Sequence, residues 1–266
     1  MQTPTVLIVA GFDPYGGAGI LADTKTVHAL GGYALGVVTA LTAQNSQGVQ
    51  SVEPVSADTV VRQLEVLLEE IRVDAVKIGM VSDPEVIDAV AHVIRRHQLT
   101  NVVLDPVRVS SSGMPLLPDD AIDDLARTLL PLCRVVTPNL DETNAWLRAQ
   151  YSGAASEIDM MTAGMRALGA SAILFKGGHL SGPEAIDTLV EADAVYRFRS
   201  PKIITNHTHG TGCILSSAIA THLARGETLP TSVRKAKAFL QHRLETANRL
   251  QLHYHRPASQ RNEPLF

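Results

Sequence analysis

Short aliphatic and β-branched runs recur at residues 6–10, 34–41, 75–78, 102–104, 135–137 and 173–176, and each is expected to form a strand. Between them, residues 58–71, 84–97, 119–130 and 156–168 repeat apolar side chains three or four positions apart, which gives a helix one apolar face. Ser82-Asp83-Pro84 supplies a capping side chain followed by a proline, and Ser156-Glu157 is expected to open another helix after the glycine-bearing loop 151–155. Strands that read as continuous apolar runs are covered on both faces. Their alternation with helices therefore predicts a mostly parallel sheet between two helical layers, an α/β three-layer sandwich. Residues 186–190 and 195–199, joined by 191–194, read as a hairpin that puts an antiparallel pair on one side of the sheet.

Of the 266 residues, 45% are hydrophobic and 19% charged, enough apolar material for a large core and too little charge for disorder. No repeat, charge block or low-complexity linker divides the chain. The expectation is one domain over residues 1–266, with the proline-bearing residues 255–266 as a loose tail. A net charge of −4 gives no electrostatic footing for nucleic acid or an anionic membrane surface. No apolar stretch approaches the roughly 20 residues of a membrane span. The opening MQTPTVLIVAGFDP lacks a basic lead and reads as a first strand, not a signal peptide. Cys133 and Cys213 are too few for a disulfide scaffold or an all-cysteine zinc site, so a reducing cytoplasm is the expected setting.

Open parallel sheets bind ligands beyond the carboxyl ends of their strands, and the chemistry-bearing clusters of this chain lie there. GFDPYGGAGI, residues 11–20, follows the first strand and leads into the helix containing Asp23 and Lys25. Its glycines let backbone approach a ligand, and they equally suit an ordinary tight turn. The spacing is not that of a dinucleotide fingerprint, and the chain has no Walker A signature. HTHGTGCILSSAIA, residues 207–220, turns into a helix of small residues, so Gly210, Thr211, Gly212 and Cys213 present consecutive N–H groups at the positive end of a helix dipole, an anion hole. Cys213 there either has a dipole-stabilised thiolate that takes a proton from a substrate hydroxyl, or is a small buried helix residue. Lys176 ends a strand before Gly177 and Gly178 and suits a phosphate as a point charge, or is a solvated strand end. Asp105, Asn139 and Glu142 suit a hydrated magnesium ion, or helix capping. An anion hole, a lysine, carboxylates and a candidate base together are the parts of phosphoryl transfer, and the joint reading is a kinase. The H-x-H pairs His207/His209 and His253/His255 lack the further ligands of a zinc site, and no G-x-S-x-G elbow follows a strand.

The ordered set AGFDPYGGAGI (10–20), TALTAQN (39–45), VKIGM (76–80), LDPV (104–107), TPN with Glu142, FKGGHL (175–180) and THGTGC (208–213) resembles the hydroxymethylpyrimidine/phosphomethylpyrimidine kinases of thiamine biosynthesis, in the ribokinase-like superfamily. The resemblance runs over nearly the whole chain. It implies transfer of the ATP γ-phosphate to the hydroxymethyl oxygen of 4-amino-5-hydroxymethyl-2-methylpyrimidine and then to the monophosphate, with Mg2+. It also implies that Gln44 hydrogen-bonds the pyrimidine edge, Asp23 borders the reacting group, and Gly11, Phe12 and Val107 complete the substrate pocket. By the same carry-over Lys176, Asp105 and Thr208 bind ATP, Asp105, Asn139 and Glu142 organise magnesium directly or through water, and Gly210 to Cys213 form the anion hole. A homodimer is implied as well. The chain departs from the family at Phe12 and Tyr15, where small residues are usual, at Arg108 for methionine, and at His207 for asparagine. Bulk at Phe12 or Tyr15 narrows the pocket or stacks on the ring, which keeps two further readings open: a pyridoxal-type vitamin kinase, and a ligand-binding homologue without turnover.

Overall fold

Six consecutive buried residues in β1 (Thr5–Phe12) require a sheet covered on both sides. In the computed structural model, which describes residues 3–45, 47–110, 113–178, 182–205 and 209–247, β1 lies between β2 (Tyr33–Asn45) and β4 (Ala75–Ile78), parallel to both. The parallel run continues through β5 (Val102–Leu104), β6 (Val135–Val136) and β7 (Ile173–Phe175). Antiparallel strands close both sides, β3 (Gly48–Pro54) beside β2, and β8 (Glu184–Val190) with β9 (Val195–Pro201) beyond β7. The order is β3-β2-β1-β4-β5-β6-β7-β8-β9.

Alternate residues of β1 feed opposite cores. Leu7 and Val9 pack with α2 (Ala57–Glu70), α3 (Pro84–Arg96), α4 (Asp119–Thr128), α5 (Leu140–Leu147) and α6 (Ile158–Ala167). Val6, Ile8 and Ala10 pack with α1 (Gly19–Ala29), α7 (Thr211–Ala224) and α8 (Leu229–Glu245). The expected three layers and the expected hairpin are both present.

Differences from the sequence pattern are local. β3 and α8 go beyond the expected elements, and β3 is mostly exposed, so it lacks an apolar run. α4 stops at Thr128 and gives way to a 3-10 turn around Pro131, because a residue before proline is disfavoured in the α region. The helix expected from residue 156 begins at Ile158: Glu157 Oε2 accepts from Ser152 N, Ser152 Oγ and Ala154 N, which tightens the entry into a 3-10 turn. Asp83 caps α3 as expected, accepting from Glu85 N and Val86 N. Residues 255–266 lie outside the described residues. Among those described, no helix is long and apolar enough to cross a membrane.

Two irregularities shape the sheet end where a ligand would sit. The β1–β2 ladder slips between Ala10 and Gly11, and the β2–β3 ladder between Ala43 and Gln44. β2 pairs with β1 only as far as Leu41, so its last residues are held by β3 alone, as a two-stranded ribbon.

At the other side, Asp187 of β8 ties three segments together. Its Oδ1 accepts from Gly177 N at 2.9 Å and its Oδ2 from Lys237 Nζ of α8 at 2.6 Å. Gly177 has no room for a side chain, since a Cβ would run into the Ile186 carbonyl. Asp187→Ala leaves a buried ammonium and a buried N–H without partners. It is expected to cost about 3–5 kcal/mol, read as a fall of roughly 10 °C in Tm by calorimetry.

Candidate active site

The carboxyl ends of β1, β2, β4, β5, β6 and β7 open onto one cavity of about 1110 Å³, into which the N-terminus of α7 also faces. The glycine-rich turn after β1 is organised by Asp13, a buried carboxylate. Its Oδ1 accepts from Tyr15 N at 2.9 Å, and its Oδ2 accepts from Gly17 N at 3.1 Å and Ala18 N at 2.9 Å. Burial works against the charge on Asp13; the bond from His209 and these backbone N–H groups outweigh it and hold its pKa below the ordinary aspartate value. The turn therefore satisfies its own amides on a side chain. The residues that open α7 line the cavity beside this turn. Gly210 caps that helix with a φ of 79°, and a Cβ there would run into the Gly17 carbonyl, so the two turns meet at a distance only glycine allows.

The floor carries paired charges. Lys77, in the middle of β4, is fully buried and donates to Asp23 Oδ2 of α1 at 2.7 Å, while Ser217 of α7 donates to Asp23 Oδ1 at 2.7 Å. Burial opposes the Lys77 charge, but Asp23 foremost, with Cys213 and Asp105, holds the ammonium above its usual pKa. Lys176, just past β7, donates to Asp105 Oδ1 at 2.8 Å and lies 3.5 Å from Glu142 Oε2. Thr137 also donates to Asp105 Oδ1, at 3.2 Å. Burial raises the Asp105 pKa, yet Lys176 and Lys77 together bring it below the ordinary value. For Glu142 burial wins, and its carboxyl is pushed up to about 7. A Cβ on Gly212 would lie 3.0 Å from Asp105 Oδ2 and 3.5 Å from Lys176 Nζ, which sets the α7 turn directly over this pair.

Gly11, Phe12, Gln44, Val107, Asp105, Asn139, Glu142, Lys176 and the Gly210–Cys213 turn all line the cavity. Tyr15 is not among the lining residues, while Arg108 is. Asp23 is not among the lining residues: with no exposed surface it is paired with Lys77, which does line the cavity, and its charge is felt at Cys213. Asn139 is engaged in a capping box, its side-chain oxygen accepting from Glu142 N at 2.8 Å while Glu142 Oε2 accepts from Asn139 N at 2.7 Å. Direct metal ligation by Asn139 would compete with that cap. Cys213 departs from the expected thiolate: burial pushes its thiol up to about 11, against the lowering by Lys77 and by a hydrogen bond from Gly19 N–H. Among the described residues no group of three or more His, Cys, Asp or Glu side chains is gathered for metal. Thr208, His207 and Leu180 lie outside the described residues.

The sequence reading gave no role to Asp13, Lys77 or His209. A lysine inside the four-residue apolar strand AVKI was a legible signal, since a buried ammonium demands a partner. His209 Nε2 lies 3.0 Å from both Asp13 Oδ2 and Gln44 Nε2.

A mostly parallel three-layer sheet with a helix N-terminus and a lysine at one strand-end cavity is the architecture of the small-molecule kinases of ribokinase-like fold. Residues 13–259 match the family model described as phosphomethylpyrimidine kinase. The chain is 42% identical over 252 residues to the hydroxymethylpyrimidine/phosphomethylpyrimidine kinase of Salmonella typhimurium, covering 95% of each chain. Among solved structures it is similar to the phosphomethylpyrimidine kinase from Clostridium difficile, with 36% identity and a TM-score of 0.79, covering 91% of this chain and 99% of that one. It is also similar to the Bacillus subtilis pyridoxal kinase in its ADP complex, with 33% identity and a TM-score of 0.83, covering 90% of each. The chain belongs to the phosphomethylpyrimidine kinase family, and it is a phosphotransferase.

Removing one member of the Lys77–Asp23 pair strands a buried charge. Lys77→Met is expected to cost about 3–5 kcal/mol, whereas the double variant Lys77→Met/Asp23→Leu is expected to be more stable than Lys77→Met alone. Chemical denaturation of the wild type, both single variants and the double variant measures this coupling.

Proposed function

We propose that the chain transfers the γ-phosphate of ATP to the hydroxymethyl oxygen of 4-amino-5-hydroxymethyl-2-methylpyrimidine, and then phosphorylates the monophosphate in the same cavity. The observation that carries this reading is that one cavity holds the Gln44 amide together with Lys176 and the α7 turn. A carboxamide offers a donor and an acceptor side by side, the pattern an aminopyrimidine edge requires. Gly11, Phe12 and Val107 supply the walls around that ring.

In the transfer, an alcohol oxygen forms a bond to the γ-phosphorus while the bond from that phosphorus to the β,γ-bridging oxygen breaks, and ADP leaves. Charge on the equatorial oxygens is met by the N–H groups of Gly210 to Cys213 and by the Lys176 ammonium. The hydroxyl proton passes to Cys213 Sγ in its thiolate form, the minor form of a thiol whose pKa is raised by burial and whose negative charge the Lys77 ammonium supports. A loose transition state leaves that proton in place until late, so a small thiolate fraction suffices. The donor set beside Lys176 fits a hydrated Mg2+: Asp105 and Glu142 are hard oxygen ligands facing the cavity, and such an ion keeps several waters and needs few protein ligands. Mg2+ bound there neutralises the polyphosphate.

The resemblance supports a homodimer acting in the cytoplasm, and Tyr33 and Leu41 of β2, 58% and 50% exposed, are available to a dimer contact. Sedimentation velocity at micromolar concentration is expected to give the dimer; a monomer overturns that assignment.

Phe12 on the cavity wall favours one second reading, phosphorylation of pyridoxal. Side-by-side kcat/KM values decide: the pyrimidine alcohol is expected to be the better substrate, and a preference for pyridoxal, or ATP consumption indifferent to both, overturns the assignment. Cys213→Ala is expected to lower kcat by roughly 10² to 10⁴ with folding intact. A thiol with its pKa near about 11 is mostly protonated below that value, so its thiolate fraction, and with it kcat, is expected to climb with pH through the alkaline range. Cys213→Asp, ionised throughout that range, is expected to flatten the profile.

A further inference from the structure

Around His209 the heavy-atom distances pose a donor-counting problem. His209 Nε2 has the Asp13 carboxylate at 3.0 Å on one side and the Gln44 carboxamide at 3.0 Å on the other. Across that carboxamide, Thr42 Oγ1 lies 3.3 Å from its far atom and 3.0 Å from the Phe12 carbonyl oxygen. An unprotonated Nε2 would aim a lone pair at a carboxylate, so Nε2 carries hydrogen and donates to Asp13. It then cannot face a carboxamide NH2. The single hydroxyl hydrogen of Thr42 goes to the Phe12 carbonyl, so this oxygen is left to accept. Among these groups only one amide orientation avoids a clash of like with like: Gln44 turns its oxygen toward His209, where it shares the single Nε2–H with Asp13 in a three-centre bond, and its NH2 toward Thr42, the two ends of a carboxamide being set by such networks.

A second observation shows how tightly His209 is held. A Cβ on Gly17 would lie 2.5 Å from His209 Cδ2, so the glycine-rich turn closes over the ring with no space to spare. Asp13, which organises that turn, grips the same ring from its polar edge.

We propose that Asp13 and His209 are positioning residues for substrate choice: they lock the Gln44 carboxamide in one orientation, so that it offers a fixed order of acceptor and donor to the edge of a heteroaromatic alcohol. This rests on the pyrimidine reading above and adds the residues that enforce it. A ring with adjacent nitrogen acceptor and amino donor matches the locked amide; the 4-oxo analogue, with ring N–H and carbonyl, presents the reverse order and meets like against like.

Two measurements test this. In ligand-free protein with ¹⁵N-labelled histidine, above the histidine pKa, NMR is expected to show His209 as the Nε2–H tautomer. The Nδ1–H tautomer overturns the lock, and this result does not depend on the substrate. In kinetics, the ratio of kcat/KM for the aminopyrimidine alcohol over its 4-oxo analogue is expected to fall about tenfold in His209→Leu, the scale of roughly one hydrogen bond. It is expected to stay within about threefold in His209→Gln, whose amide N–H replaces the Nε2–H donor. An unchanged ratio in His209→Leu, or an equal loss in both variants, overturns the positioning role. A wild type that phosphorylates neither alcohol overturns the substrate reading, with the tautomer still deciding the lock.

Discussion

Two ammonium groups meet at one cavity, Lys77 with no exposed surface and Lys176 mostly buried, and keeping both paired is the constraint the site is built around. An unpaired buried ion is far too costly to persist, so each lysine is matched by an aspartate from another element: Lys77 of β4 by Asp23 of α1, and Lys176 after β7 by Asp105 after β5. Ser217 and Thr137 complete the hydrogen bonding of the two carboxylates. Asp105 lies under the influence of both cations, so the pairs form one connected array. Such an array has few arrangements. It fixes the relative positions of β4, β5, β7, α1 and α7 at the end of the sheet that carries the cavity.

The apolar layers make that placement possible. Residues of β4 alternate between cores: Val76 and Ile78 pack against the α2–α6 layer, while Lys77 points to the α1/α7 side, where Asp23 and Ser217 wait. α7 thus has two tasks. Its small, buried residues let it lie close to the sheet, and its first turn lines the cavity, with Gly212 set against the Asp105–Lys176 pair. The glycines at 17 and 210 permit the contact that brings this first turn beside the loop after β1.

The layered sheet was legible because buried parallel strands and amphipathic helices leave periodic signatures, as in β1 and α3. β3 left none: an edge strand with mostly exposed residues has no apolar face to announce it. Within the site, residues on glycine turns and strand ends could be located from their neighbours in sequence, and Lys176, Asp105, Gln44 and the α7 turn do share a cavity. What stayed hidden was pairing across long separations. Asp23 stands alone in its helix until its partner 54 positions away is known, which makes it the counter-ion of Lys77. Cys213 had two readings in sequence, and burial, which a helix dipole does not report, raises its thiol pKa against the help from Lys77 and the Gly19 N–H. Asn139 had two readings in sequence, and the reciprocal bonds with Glu142 show that it caps α5.

β2 outruns its parallel neighbour: beyond Leu41 it is supported by β3 alone, and Gln44 rides on that overhang, just past a slip in the ladder. Lys176 and Asp105 instead follow strands in the interior of the sheet. On the proposed roles, the polar contact to the ring edge thus hangs from a less supported part of the molecule than the charges that would meet phosphate. Lineages built on this frame are free to remodel the cantilever and acquire a taste for a different vitamin precursor, while inheriting the engine beneath it unaltered.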